Sequence, residues 1–388
     1  MTTLAVWLFA GSAGLVLYAY VGYPLLLFAL GKVRSAGRPP TASPQDPVQW
    51  PMVSVTVPVY NEERAIREKL EEVLRYDYPP ERLQVLVISD ASTDGTETIV
   101  REYAARGVEL LRQPLRGGKT AAENAAVPLL RGEIVVNSDA SIRVPPTSLK
   151  QLVRALQDPA VGVASGRDVA MTQADSNRGE SSYVGYEMWV RGLETRLDGI
   201  VGASGCLYGV RTSLQRILIP EALSRDFAAP LVARQEGFRA VSVEPAVAFV
   251  PRITSVRREY QRKVRTMTRG LQTLFYKRAL LNPLRYGWFA WMLFSHKVCR
   301  WLVPVAGVAA LVALGLIAPQ AAWARWVLFV TGAGALAAVT GFLWPERRAA
   351  PRIFALPAFL AAANVAAVHS WFNATRGKRT PVWEPTRR

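Results

Sequence analysis

The chain has 388 residues, more than one ordinary domain, and half of it is hydrophobic although 20% is charged, so apolar and charged residues are segregated along it. Lys and Arg number 47 against 30 Asp and Glu, a formal charge of +17. The basic residues crowd into 252–278, 347–352 and 376–388, beside apolar runs and without a nucleic-acid-binding motif. That excludes nucleic acid as the favoured partner and fits a positive-inside bias and anionic membrane lipid.

Residues 4–31 form an uncharged apolar run long enough to cross a bilayer, with Lys32 and Arg34 directly after it. A cleaved signal peptide would carry its positive charge ahead of a shorter run, so 1–31 read as a retained transmembrane anchor whose far end is cytoplasmic. A linker rich in proline and small residues, 32–51, leads to a soluble domain over 52–251. Cys206 and Cys299 give neither a disulfide framework nor a cysteine metal site, which fits a reducing cytoplasm.

The soluble domain opens with three hydrophobic strands, Val53 to Pro58, Gln84 to Ser89 and Glu133 to Ser138, separated by helical patterns such as Ile66, Leu70, Val73 and Leu74. This predicts an α/β fold with a mostly parallel, Rossmann-like sheet, whose ligands bind at the carboxyl ends of the strands. Those ends carry Asn61 with Glu62, then Asp90, then Ser138 and Asp139. Asp90 and the small turn residues after it suit a base or ribose, and equally suit an ordinary helix cap. Gly117, Gly118 and Lys119 at a helix start favour a phosphate, but lack the spacing of a P-loop, which counts against an ATPase. A carboxylate at Asp139 suits Mg²⁺ or Mn²⁺ bridging a diphosphate.

Residues 252–300 read as amphipathic interfacial helices. Val256, Tyr260, Val264, Met267, Leu271 and Leu274 share one face, and Arg258, Arg262, Arg265 and Arg269 the opposite one. That basic face suits either a donor or lipid phosphate, or lipid head groups and water. Membrane segments over 301–373 contain apolar runs at 302–318, 324–344 and 353–372, followed by a basic cytoplasmic tail, 374–388. A cytoplasmic tail requires one run not to span. The last is interrupted by Pro357, Asn364 and His369, which points to a re-entrant or interfacial path. His296 and His369 stand apart from any ligand-spaced partner and read as structural.

The order of these pieces resembles the membrane-bound, inverting glycosyltransferases of family 2. The resemblance rests on Val57-Pro58-Val-Tyr-Asn61-Glu62-Glu63, Ser89-Asp90-Ala-Ser-Thr-Asp94-Gly95, Gly118-Lys119, Ser138-Asp139-Ala140-Ser141, Gly202 to Tyr208 and Arg225-Asp226-Phe227. Behind these stand Gln261-Arg-Lys-Val-Arg265, Ser295 to Trp301 and Trp383 to Arg387. It implies a GT-A fold in a cytoplasmic domain flanked by transmembrane helices, and hexosyl transfer from a nucleotide-sugar donor to a lipid-linked or cell-envelope glycan acceptor. By the same resemblance Asp226 is the catalytic base and Asp139 the metal ligand. The donor contacts are Pro58, Asn61, Glu62, Asp90, Lys119, Ser138, Gly205, Gln261, Arg262 and Arg265, with Gly202 to Tyr208 lining the sugar pocket.

Two positions depart from the family pattern. Ser141 stands where a second metal-binding acid is usual, and no Trp follows Arg265 to complete the Gln-x-x-Arg-Trp signature of processive members. The second departure favours single-sugar transfer over a polysaccharide synthase. The first leaves open a catalytically weak membrane scaffold of the same fold.

Overall fold

The computed structural model describes residues 2–35, 46–171, 178–251, 256–345, 350–378 and 382, with no side-chain description at 2, 34, 35, 178–183 and 256–258. Most of the proline-rich linker, the side chain of Arg258 and the motif from Trp383 to Arg387 lie outside the described residues.

Seven strands form one sheet: β1 (Val53–Val59), β2 (Leu83–Ser89), β3 (Val108–Arg112), β4 (Ile134–Ser138), β5 (Val161–Met171), β6 (Leu207–Arg211) and β7 (Arg239–Pro251). Their order is β3-β2-β1-β4-β6-β5-β7. β1 pairs parallel with β2 and β4, β2 with β3, and β5 with β7, whereas β6 runs antiparallel to both its neighbours. The sheet is therefore mostly parallel, as its continuous apolar strands require: every residue of β1 and of β4 is buried.

Two apolar helices precede the sheet, α1 (Thr2–Leu17) and α2 (Tyr23–Ser35), joined without a break by a π-helical turn at Tyr18–Gly22. Within the domain run α3 (Glu63–Val73), α4 (Thr96–Glu102), α5 (Lys119–Ala126), α6 (Ser148–Leu156), α7 (Arg178–Leu197), α8 (Thr212–Gln215) and α9 (Arg225–Gln235). The predicted face of α3 is buried through Ile66, Leu70 and Val73, which join β1, β2 and α6 in the main core. α3 stops at Val73, before the Asp77-Tyr78-Pro79-Pro80 segment.

After the sheet come α10 (Val256–Tyr276), α11 (Pro283–Leu293), α12 (Arg300–Ile317), α13 (Ala322–Phe342) and α14 (Arg352–Thr375). Four helical stretches are long and apolar enough to cross a membrane: Thr3–Val33, Pro283–Ile317, Ala322–Phe342 and Arg352–Thr375. α14 corrects the expectation of an interrupted last run. Pro357 is accommodated inside the helix, the Asn364 amide donates to the Leu360 carbonyl one turn back at 2.8 Å, and His369 bonds Tyr260 of α10 at 3.1 Å. A polar side chain that bonds its own helix leaves the ladder intact.

The apolar helices are fastened to the sheet domain by buried charge. The Tyr23 hydroxyl donates to Glu194 of α7 at 2.5 Å, and His296 stands between two carboxylates, Nδ1 2.6 Å from Glu194 and Nε2 2.8 Å from Glu187. His296 lies in a π-helical turn, Phe294–Cys299, that joins α11 to α12. It is thus structural, as the sequence indicated, but not isolated.

Removing the Tyr23 hydroxyl leaves a buried carboxylate short of one donor. Tyr23→Phe should lower stability by roughly 1.5–3 kcal/mol, read as a fall in Tm of the detergent-solubilised protein. An unchanged Tm would show that this bond does not hold the N-terminal helix to the domain.

Candidate active site

A cleft of about 530 Å³ opens at the carboxyl ends of the parallel strands. Of the residues singled out from sequence, it is lined by Pro58, Glu62, Lys119, Asp139, Gly205, Asp226, Arg262 and Arg265. Asn61, Asp90, Ser138 and Gln261 do not line it.

Those four have other places. Asn61 adopts a left-handed backbone (φ 51°), which asparagine tolerates better than most residues. Its side chain accepts from the Thr93 N–H at 2.8 Å and donates to the Thr93 hydroxyl at 3.1 Å, tying the end of β1 to the loop after β2. Asp90 is fully buried and accepts from the Gly117 N–H (2.7 Å), the Gly118 N–H (2.9 Å) and the Gln113 amide (3.1 Å). Its carboxylate here builds the glycine turn rather than facing open space. Gly118 needs its freedom, since its φ is 91°. Ser138 is fully buried in β4, and Gln261 is exposed on α10.

The turn that Asp90 holds delivers Lys119 as the first residue of α5. The Lys119 ammonium pairs with the Asp139 carboxylate and donates to the Gly205 carbonyl at 2.6 Å. Burial works against the charged ammonium, yet Asp139, Glu123 and Asp226 outweigh it and hold its pKa above the ordinary lysine value. Asp226, in the first turn of α9, also approaches Gly205, its carboxylate bonded by the Ser224 hydroxyl. A Cβ at position 205 would come within 2.7 Å of the Asp226 Oδ2, so only glycine allows this approach. The Lys119–Asp139 pair and Asp226 therefore converge on a single residue.

Several residues of the cleft were not singled out from sequence. Glu123 lies one helical turn after Lys119, a spacing that puts both on one face. It is 1% exposed, and neither carboxylate oxygen has a hydrogen-bond partner among the described residues. Burial, helped by Asp226 and Asp139 and opposed by Lys119 and Arg225, pushes its pKa up to about 7. Asp168, near the end of β5, accepts from Ser204 at 2.6 Å, and burial pushes its carboxyl up. Arg191 lies at the far wall, beside Lys297 and Trp301 of the Ser295 to Trp301 motif that the sequence did single out. The run of charge at 187, 191 and 194 was a readable signal, because that spacing repeats on one helix face.

The basic face of α10 divides. Arg262 pairs with Glu259 through bonds of 2.7 and 2.8 Å and borders the cleft with Arg265. Of the two readings of this face, Arg269 does not fit head groups or water: it is 9% exposed, lines the cleft, and its guanidinium donates to the Thr120 hydroxyl at 2.8 Å and to the Leu223 carbonyl. It ties α10 to α5 and to the loop before α9.

Because Glu123 has a folded pKa above its usual value, the stability it contributes is full below about pH 4.5 and is lost as pH rises through about 7. Glu123→Gln should therefore show a smaller fall in Tm than the wild type between about pH 5 and about pH 8. Parallel Tm profiles would place the titration elsewhere.

The sequence model described as glycosyl transferase family 2 matches residues 54–214. The chain is 32% identical over 157 residues to a β-monoglucosyldiacylglycerol synthase of Nostoc sp., a match covering 39% of this chain and 33% of the relative. It is 29% identical over 237 residues to an N-acetylglucosaminyltransferase of Mesorhizobium japonicum, covering 55% and 53%. The chain thus spans a third to about half the length of these curated relatives. A solved mannosyltransferase of Pyrobaculum calidifontis, in complex with GDP-Man and Mn²⁺, superposes with a TM-score of 0.73 at 25% identity, covering 96% of this chain and all of that one. Residues 54–214 therefore carry a glycosyltransferase family 2 domain, and the sheet has the GT-A fold.

Proposed function

We propose that the protein is an inverting glycosyltransferase that moves one sugar from a nucleoside-diphosphate sugar to an acceptor hydroxyl at the cytoplasmic face of a membrane. The observation that carries this reading is that Asp226 and the Lys119–Asp139 pair both approach Gly205 within one cleft. Inversion by single displacement needs a base on the face of the sugar opposite the leaving diphosphate. Asp226 fills that role by accepting the proton of the acceptor hydroxyl as its oxygen attacks the anomeric carbon. Lys119, at the N-terminus of α5, and the Arg262 and Arg265 side chains neutralise charge gathering on the leaving diphosphate. Pro58 and Glu62 border the donor end of the cleft. Asp90 and Asn61 act from behind it, by fixing the loops that carry Lys119 and Glu62.

Among the described residues no group of three or more His, Cys, Asp or Glu is placed to hold a metal ion. Among the oxygens that line the cleft, the Asp139 carboxylate and the Ser141 hydroxyl, two residues apart, are hard donors. One carboxylate with substrate phosphate oxygens and waters is a usual setting for Mg²⁺, and Mn²⁺ favours the same ligands, so the residues fit such an ion. Asp139 would hold it, and the ion would supply Lewis-acid stabilisation of the diphosphate. The mannosyltransferase solved with GDP-Man and Mn²⁺ supports this assignment.

The four long apolar helices support a multi-pass membrane protein, and Lys32 and Arg34 after the first support a cytoplasmic catalytic domain. The position of Gln261 outside the cleft supports single transfer over polymer synthesis. A lipid or glycan acceptor is supported by the glycolipid synthase and the N-acetylglucosaminyltransferase among the relatives.

Asp226→Asn keeps the shape of the side chain but cannot take a proton. Single-turnover transfer should fall by roughly 100-fold or more, with nucleotide-sugar affinity by calorimetry retained. Wild-type transfer would remove Asp226 from the chemistry, and loss of both properties would make it a donor-site or folding residue. Asp139→Ala should abolish transfer and the Mg²⁺ or Mn²⁺ dependence of nucleotide binding. A variant with an unchanged metal response would show that the ion is held elsewhere.

A further inference from the structure

The end of the cleft next to the apolar helices carries two cations that the donor chemistry does not use. Arg191 of α7 is 8% exposed and lines the cleft. Its Nη2 donates to the Ala203 carbonyl at 3.4 Å, and its Nε stands 3.9 Å from Glu187, beyond hydrogen-bond reach. Neither Nε nor Nη1 has a hydrogen-bond partner among the described residues. Buried guanidinium donors are seldom left unmet, because each forfeits its bonds to water.

Lys297 lines the same stretch, with its side chain 15% exposed. Its ammonium is 3.7 Å from Glu187, whose oxygens already accept from His296 at 2.8 Å and Arg300 at 2.7 Å. Glu187 is thus matched by other cations. Although burial raises it, His296, Arg300 and Lys297 hold its carboxyl well below the usual range. The other acids at this end are Asp168, which Ser204 already bonds, and Glu194, which is bonded by Tyr23 and His296 and also acts on Lys297. The anion site is therefore marked by the two unmet Arg191 donors beside the Lys297 ammonium and not by a surplus of charge.

We propose that Arg191 and Lys297 form an anion subsite at the apolar-helix end of the cleft, and that it takes the phosphate head of an acceptor whose remainder is apolar. The proposal deepens the transferase reading and rests on it for the acceptor's role. Two unmet guanidinium donors and an ammonium suit the several oxygens of a phosphate. The apolar remainder follows from what surrounds them. Lys297 belongs to the candidate span Pro283–Ile317, and its ammonium sits 5.7 Å above the Phe227 ring. Phe227 and Trp301, which also line the cleft, pack edge to face with centroids 5.9 Å apart. An acceptor anchored here by its phosphate has an aromatic wall, and then the apolar helices, beside its tail.

The test uses the full chain in a maltoside detergent, titrated calorimetrically with octyl phosphate, inorganic phosphate and octyl glucoside, and separately with GDP and UDP. Octyl phosphate should bind saturably and more tightly than inorganic phosphate, and octyl glucoside should not compete. Lys297→Gln and Arg191→Gln should each weaken octyl phosphate about tenfold or more, the loss of a charge-assisted bond, and leave nucleotide affinity unchanged. Arg191 is buried, so if its variant does not fold, Lys297→Gln at the more accessible position decides. Equal octyl phosphate affinity in wild type and Lys297→Gln overturns the proposal, as does equal affinity for octyl and inorganic phosphate. Parallel loss of nucleotide and octyl phosphate would assign these cations to the donor and overturn it likewise. Failure of the wild type to bind either nucleotide, with octyl phosphate still dependent on Lys297, would sink the donor reading and leave the subsite standing.

Discussion

Five carboxylates, those of Glu62, Glu123, Asp139, Asp168 and Asp226, share one cleft, and their mutual repulsion in a partly dry space is the constraint around which the site is built. Two unit charges about 4 Å apart interact by about 4 kcal/mol at the effective dielectric of a protein surface, so a compensating cation is needed. Lys119 supplies it, touching Asp139 directly and acting on Glu123 and Asp226 through space. Its position is fixed from the backbone outward: Asp90 bonds two consecutive N–H groups, Gly118 turns with a positive φ, and α5 begins at the lysine. A donor diphosphate entering this cleft would compete with the acids for the same ammonium. Where the compensation is least complete, at Glu123, the carboxyl gives way and takes a higher pKa.

The strands that carry these residues were legible because β1, β2 and β4 are short runs rich in valine and isoleucine, in which the buried polar residues bond each other, Ser54 to Gln84 and Thr56 to Asn137. Their ends place Glu62 and Asp139 in the cleft. The second half of the sheet was not legible. β6 is five residues long with a glycine at its centre, and its antiparallel placement between β4 and β5 follows from which faces α6 and α9 cover, not from its own pattern. Asp226 was visible through family resemblance. The reason glycine must stand at 205 appears only when α9 is folded against that loop.

Helical charge was read less well than strand hydrophobicity. An amphipathic pattern identifies two faces but not what each one meets, so the basic face of α10 suited a donor or lipid phosphate as well as head groups and water. Among its described arginines, Arg262 sits beside Glu259, Arg265 at the cleft and Arg269 among backbone carbonyls of the loop before α9. The same limit hid Glu187, Arg191 and Glu194. Their partners come from α2, the π-helical turn and α12, which sequence spacing cannot bring together.

That last network decides what kind of object the catalytic domain is. Its sheet has a complete core, yet α7 faces the apolar helices with acids whose donors are Tyr23, His296 and Arg300, all outside the 54–214 segment that defines the family. Trimming the chain to that segment would expose Glu187 and Glu194 among the apolar side chains Val190, Leu193 and Leu197, which pack against Tyr23 and Leu27 in the full chain. On that side the domain meets the apolar helices. In the proposed membrane setting, the medium around those helices would bear on the cleft wall, so detergent or lipid composition should change activity as well as solubility.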